Sequence, residues 1–506
     1  MRRPDANSDD PCELPARVLA RRLRQRQLSA AEVLKAHLAR IEKHNTTLTA
    51  VVSLDVERAR KLARKADAAL RRGEVWGPLH GIPMTLKDGH DVAGLRTTVG
   101  TKELDRVAEE DGTVAARLRV AGAIIIGHTN VPPWLADYQT ANQIFGRTAN
   151  PWDVERTAGG SSGGAAAALA AGMTPLEIGS DLVVSIRLPA HFCGVYGLKP
   201  TEHRVPLTGF LRLPGVPRSV RIMSCLGPMA RDLGDLELAL SIIAGPDGHD
   251  SDVPPVPLAT EPRRRLSGLH LAVATTLPGA TVATSLRRQV ERVAAEAARA
   301  GARVEERLPD IDWDESNQLF GELVATITGR EEGRLSRYFG ALALRDRFIA
   351  GWRAFFENFD ALILPPAATS AFTHRKSGER IEVDGKTVSY EALGLLGAFA
   401  NLTGLPALVA PAAIDNGLPI GIQLVGPRWS EMRLLRIARQ LEQVGVLPGF
   451  QEPPSMLHRP PGDHRDQQVK EKRDERDEQP RAGGRPRRRD ARRAGAGSGP
   501  VRRRPG

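Results

Sequence analysis

Residues 179–194 read GSDLVVSIRLPAHFCG. One serine, Ser185, follows two valines and precedes an Ile-Arg pair. The run fits two local structures: a buried strand with an incidental hydroxyl, or a turn that presents the hydroxyl to a substrate. The residues around it decide between them.

Upstream lies NPWDVERTAGGSSGG, residues 150–164, followed at once by the Ala-rich AAAALAAG. A free Gly/Ser cluster is a flexible linker. Here it opens a helix, so its amides point out of the positive helix end, where anions and developing negative charge are stabilised. A phosphate loop is excluded, because no Gly-Lys-Ser/Thr follows the cluster and no G-x-G-x-x-G pattern fits it. Farther upstream, Lys87 ends the short apolar run of PLHGIPMTLKDG (78–89). Such a lysine either reaches water or pairs with Asp88. If it is buried, it loses basicity, because burial disfavours the charged form, and the neutral amine can act as a base.

Composition bounds the rest. The chain has 506 residues, an apolar share of 41%, and only 4% aromatics, so a core is packed from Ala, Leu, Val and Ile. The net charge of +11 invites a nucleic-acid reading. Its distribution argues against one: residues 456–506 hold 16 basic and 8 acidic side chains, leaving 55 basic against 52 acidic in the body. The tail is too polar to bury a core and is expected to be disordered. Three cysteines without a spacing pattern, Cys12, Cys193 and Cys225, fit a reducing cytoplasm. The first residues lack the apolar segment of a signal peptide. The uncharged stretch 392–414 is broken by Asn401, Pro406 and Pro411, so it reads as core and not as a membrane span.

Secondary structure alternates. Residues 13–72 are expected to be helical, with Ser29 as an N-cap. Residues 111–130 read as helix, glycine turn and the strand AIIIG; 285–309 as an amphipathic helix leading to a strand; 269–277, 360–367, 406–413 and 420–427 as strands; and 431–445 as a closing helix. The alternation argues for an α/β fold, a sheet covered by helices.

Histidines and Cys193 offer rival chemistries. His80, His90, His128 and His191 form no metal-ligand pattern, so no metal is expected. His191 invites a Ser-His-Asp reading, yet no G-x-S-x-G elbow surrounds Ser185. Cys193, between Phe192 and Gly194, reads as a small buried hydrophobe.

Taken in order, HGIPMTLKD around Lys87, GHTN at 127–130, NPWDVERTAGGSSGG, SIRLPAHFCGVYGLKPT at 185–201, GPMARDLGDLELAL at 227–240, NLTGLPA at 401–407 and GLPIGIQLVG at 417–426 resemble the amidase signature family over residues 13–450. The resemblance implies one large domain over 13–455 with a twisted mixed sheet, an extension at 1–12 and the basic tail from 456. It implies a Ser-Ser-Lys triad: Ser185 attacks an amide carbonyl and forms an acyl-enzyme, Ser161 relays the proton, and Lys87 is the base. It further implies a cis peptide at Gly160–Ser161, a supporting Ser162, and an Asp181–Arg187 pair that holds the loop, the alternative being an ordinary surface pair. The oxyanion would be held by the backbone N–H groups of Leu182, Val183, Val184 and Ser185. No cofactor is implied. The expected partner is a small amide substrate, reached through loops near 132–145, 205–220 and 370–390, and a homodimer is a family-level expectation.

The chain departs from the family at Val183-Val184, where Gly-Gly is usual. Glycine permits left-handed φ and close approach of a substrate, and a β-branched valine resists both. Three readings follow: an active amidase that tolerates the change with narrowed substrates, an amidase fold without turnover, or the A-type subunit of a glutamyl-tRNA amidotransferase that needs partner subunits; the valines lead us to expect weak or absent amide hydrolysis on an intact fold and triad. The stretch HRVPLTGFLRLPGVP (203–217) looks more like stand-alone amidases.

Overall fold

The computed structural model describes residues 8–212, 218–258, 265–329 and 334–454. The expected tail at 456–506, most of the 1–12 extension and the centre of the 205–220 loop lie outside the described residues.

Twelve helices are described, α1 (Ala16–Arg24), α2 (Ala30–Leu48), α3 (Val56–Arg71), α4 (Thr113–Val120), α5 (Gly163–Ala170), α6 (Arg187–Cys193), α7 (Leu233–Ile243), α8 (Thr284–Arg299), α9 (Trp313–Ile327), α10 (Leu335–Phe356), α11 (Ala392–Leu402) and α12 (Glu431–Gln443). The principal strands are β1 (Val51–Leu54), β2 (Pro83–Lys87), β3 (Ile124–Thr129), β4 (Leu176–Asp181), β5 (Tyr196–Lys199), β6 (Cys225–Ala230), β7 (His270–Val273), β8 (Arg303–Glu306), β9 (Ala361–Leu364), β10 (Ala407–Asp415) and β11 (Leu418–Val425).

Eight of these strands form one mixed sheet in the order β4-β6-β5-β10-β11-β9-β7-β8. Pairing is antiparallel from β4 to β9 and parallel for β9–β7 and β7–β8. The parallel pairs need crossover helices, which α8 and the α9–α10 pair supply. The β10–β11 hairpin turns on Asn416-Gly417, both with positive φ, the twist that suits a tight hairpin. A second sheet runs β1-β3-β2, with β3 parallel to β2 and Lys87 in register with Thr129.

Local chemistry explains the helix starts. Ser29 caps α2 in a reciprocal capping box with Glu32, as the sequence suggests, while Asp55 and Asp312 cap α3 and α9. The helical span expected over 13–72 is interrupted by β1, whose four residues VVSL sit between two longer helices. The uncharged 392–414 stretch is α11 and most of β10, both buried. No helix among the described residues is long and apolar enough to cross a membrane.

Two helices are wrapped on every side: all eight residues of α5 and all seven of α6 are buried. The α5 stretch is nearly all Gly and Ala, so neighbouring backbones approach it closely. The Gly-rich run before α5 and the Ser185 turn before α6 are thereby clamped side by side in the core, with the end of β2 facing them.

Candidate active site

The stretch GSDLVVSIRLPAHFCG resolves into three pieces: the end of β4, a turn over 182–186, and α6. Ser185 therefore stands on a turn between strand and helix. Pro189 falls in the first turn of α6, where a missing N–H is tolerated.

Lys87, at the end of β2, is fully buried. Its Nζ lies 2.7 Å from Ser161 Oγ and 2.9 Å from Ser180 Oγ, with Ser180 O at 3.5 Å. It neither reaches water nor pairs with Asp88. The Asp88 carboxylate accepts from the Thr97 hydroxyl (2.7 Å), the Thr98 N–H (2.9 Å) and the Thr98 hydroxyl (2.6 Å). Burial pushes the Lys87 amine down to about 7, although Asp181 and Glu177 pull the other way. At neutral pH a large share of it is the free base.

The Gly160–Ser161 peptide is cis. Gly160 admits no side chain, since a Cβ there would stand 2.4 Å from Asp137 O and 2.7 Å from Gln139 N. The Ser162 N–H donates to Ser185 O (3.1 Å) and its hydroxyl to Ser180 O (3.4 Å), tying the Gly-rich run to the Ser185 turn. Ser185 is 8% exposed, and its hydroxyl makes no hydrogen bond among the described residues.

Asp181 and Arg187 form a fully buried ion pair, not a surface one. Asp181 accepts from the Ile186 N–H (3.0 Å), from Arg187 Nε (3.1 Å) and from Asn401 Nδ2 (3.1 Å). Burial alone would raise this carboxyl, but the Arg187 guanidinium, the charge of Lys199 and the Ile186 N–H hold it at about 2. Arg187 also donates to Gly397 O (3.0 Å), to Gln423 Oε1 (2.8 Å) and to Asn401 Oδ1. The pair thus bolts the turn to α11 and β11. Removing one partner of a buried pair leaves a bare charge and typically costs about 3–5 kcal/mol. Asp181→Ala is expected to lose that much in denaturant unfolding; a loss under about 1 kcal/mol contradicts the bolt.

Asp181 occupies the N–H of Ile186, and Ser162 occupies the carbonyl of Ser185. The N–H groups of Leu182, Val183, Val184 and Ser185 donate to nothing among the described residues. Val184 has φ +57°, the left-handed conformation that valine resists, and its side chain is buried. Helix α11 gives way to both valines: a Cβ on Gly397 would lie 2.2 Å from Val184 Cγ1, and one on Gly394 would lie 3.0 Å from Val183 Cγ1 and 2.3 Å from Tyr138 Oη. Leu182 and Val183 stay partly exposed.

The rival groups lie elsewhere. Both nitrogens of buried His191 are engaged, Nδ1 accepting from the Gly421 N–H (2.9 Å) and Nε2 facing Thr369 O (3.2 Å), and burial lowers the ring to about 4. Cys193 is fully buried, which pushes its thiol well above the usual range. No group of three or more His, Cys, Asp or Glu able to hold a metal occurs among the described residues. Two of the three expected substrate loops meet: Gln139 Nε2 donates to Tyr390 Oη (3.2 Å) and Arg375 O (2.9 Å). The third docks Phe210 on His90, with ring centroids 4.9 Å apart.

Sequence reading assigns no role to Ser180, Asn401, Gln423 or Glu177. Asn401 and Gln423 stand inside the NLTGLPA and GLPIGIQLVG stretches, so the signal is present without a contact to interpret it.

Comparison with known proteins agrees with this architecture. The Amidase family model matches residues 32–328 and 314–435. The chain is 35% identical to the A-type subunit of the glutamyl-tRNA(Gln) amidotransferase of Thermus thermophilus, over 84% of this chain and 97% of that protein. It is 32% identical to the indoleacetamide hydrolase of Bradyrhizobium diazoefficiens, over 84% and 85% respectively. Among solved structures, a bacterial aryl acylamidase of the amidase signature enzymes superposes with a TM-score of 0.77 at 23% identity, covering 88% of this chain and 99% of that one. The chain belongs to the amidase signature family.

Proposed function

We propose that this chain hydrolyses carboxylic amides through an acyl-enzyme on Ser185. Ser185 Oγ attacks the carbonyl and passes its proton to Ser161, whose own proton goes to neutral Lys87. The tetrahedral oxyanion is met by the N–H groups of residues 182–185. Its collapse expels the amine, which takes the proton back from Lys87 through Ser161. Water then cleaves the ester on Ser185 by the same relay and releases the acid. The observation that carries the reading is the 2.7 Å contact between Ser161 Oγ and a fully buried lysine whose basicity is lowered to about 7. The relay requires the Ser185 hydroxyl to swing onto Ser161 when substrate binds, a tightening common in unliganded sites. Turnover is held below that of a glycine turn by Val183 and Val184.

A lysine base predicts a sign. It works only unprotonated, so kcat/KM rises as pH increases through about 7 and falls away below it. A profile flat between about pH 5.5 and 8.5 contradicts a lysine base. Hydrolysis of aliphatic and aryl amides by the full chain tests the activity itself.

A second reading, the A-type subunit of an amidotransferase, is favoured by the amidotransferase subunits among the relatives. Copurification with partner subunits, and amide turnover that appears only with them, would select it over a stand-alone hydrolase. A fold kept without turnover is the third, marked by no hydrolysis in either setting.

A further inference from the structure

A carboxyl group that the relay does not use lies one strand from its base. Glu177, in β4, is fully buried. Its Oε2 accepts from the Ile178 N–H (2.9 Å) and its Oε1 stands 2.8 Å from Thr129 Oγ1. Thr129 is the residue in register with Lys87 on the adjoining strand. Ser180, three residues after Glu177 on the same strand, supplies Nζ contacts of Lys87. Thus β4 touches the lysine at one end and carries a buried carboxyl at the other.

The Thr129 hydroxyl donates to Oε1 and the Ile178 N–H to Oε2, and neither donor carries a charge. No arginine or lysine makes an ion pair with Glu177 among the described residues.

We infer that Glu177 is a positioning residue that shares one proton with Lys87, and so sets the pH at which the lysine becomes a base. The reading rests on Lys87 acting as proposed above. Two ionisable groups buried in one dry core, whose strands are joined through Thr129, titrate as a pair when their charges interact. When the first proton leaves, it comes either from the amine, giving the working base, or from the acid, giving an idle ammonium–carboxylate pair. Glu177 therefore delays the base to higher pH. Burial raises this carboxyl to about 8, against the hydrogen bonds of Thr129, Thr85 and Ile178 and the charge of Lys87, which matches a proton retained at neutrality.

Other charges facing Lys87 do not replace it. Asp181 is committed to Arg187, Asp88 is turned to Thr97 and Thr98, and His90 is held neutral, at about 3, by burial. His128, the buried neighbour of Thr129 on β3, places Nδ1 3.0 Å from Arg96 O.

The test is Glu177→Gln, an isostere of the protonated acid whose amide N–H can donate to Thr129 while its oxygen accepts from Ile178. With p-nitroacetanilide, the acid limb of kcat/KM should move down by about one pH unit, roughly a tenfold gain in relative rate on that limb. A uniform loss of rate with an unmoved midpoint marks a structural role only and overturns the inference.

A readout independent of turnover separates this inference from the functional reading. An acid whose pKa is raised on folding stabilises the fold below its unfolded pKa, and that stability is lost as pH rises through the folded value. The difference in Tm between variant and parent should therefore grow in the variant's favour from about pH 5 to 8. A pH-independent difference overturns the shared proton whether or not the chain hydrolyses amides. Absence of hydrolysis together with the pH-dependent difference faults the functional reading alone. If the glutamine variant does not fold, Glu177→Met, which also removes the titration, must give the same two shifts.

Discussion

Lys87→Met is expected to lower kcat/KM for amides by about 10²–10⁴-fold, the share a positioned base contributes. The physical reason is confined to one contact. Nζ is the group within 2.7 Å of Ser161 Oγ that can hold a proton, and methionine fills the same apolar space without it. The same variant should be more resistant to denaturant than the parent. A fully buried amine is kept in the core at a cost in stability, and an apolar chain of similar length removes that cost. Loss of activity with a gain in stability distinguishes a base from a structural lysine. A variant that keeps more than about a tenth of its activity contradicts the assignment. Ser185→Ala should fall at least as far, because it removes the atom that carries the acyl group.

Val183→Gly/Val184→Gly is expected to raise kcat/KM by up to about 10²–10³-fold, the range by which loss of one oxyanion donor lowers kcat. The two valines act differently. Val184 already holds φ +57°, so the backbone takes the left-handed turn a glycine would take, and its side chain is packed toward Gly397. Its replacement relieves a conformation costing about 1–2 kcal/mol but loses buried contacts of similar size. Val184→Gly alone should therefore leave stability within about 2 kcal/mol of the parent. Val183 is partly exposed beside Tyr138 and Gly394, two residues before the nucleophile. Val183→Gly should account for most of the gain on bulky amides and little of it on acetamides. A parent already fast on bulky amides, with no gain in either variant, contradicts impairment by the valines.

The fold class, the Ser29 cap, the order Lys87–Ser161–Ser185 and the Asp181–Arg187 pair are all legible in the sequence. Each rests on local chemistry or on an ordered set of short stretches. Other features are tertiary and leave no such mark. Helix α6 hides behind Pro189 and a β-branched approach, and β1 is too short to break a helical pattern. Helices α9 and α10 are absent from the elements expected from the sequence. Glu177 lies in a stretch, TPLEIGSD, that reads as an ordinary strand, and only the register of β2 on β3 brings Thr129 between it and Lys87. Nothing in one sequence says that Gly394 and Gly397 of α11 face the two valines.

Everything proposed for this site turns on Ser185 being a nucleophile activated through Ser161 by Lys87. Reaction of the full chain with a fluorophosphonate, followed by mass mapping of the adduct, tests it without knowing the substrate. An adduct on Ser185 is expected in the parent, formed faster as pH rises through about 7 and strongly slowed in Lys87→Met. An adduct on another residue, or labelling of Ser185 equally fast in the Lys87→Met variant, would contradict it.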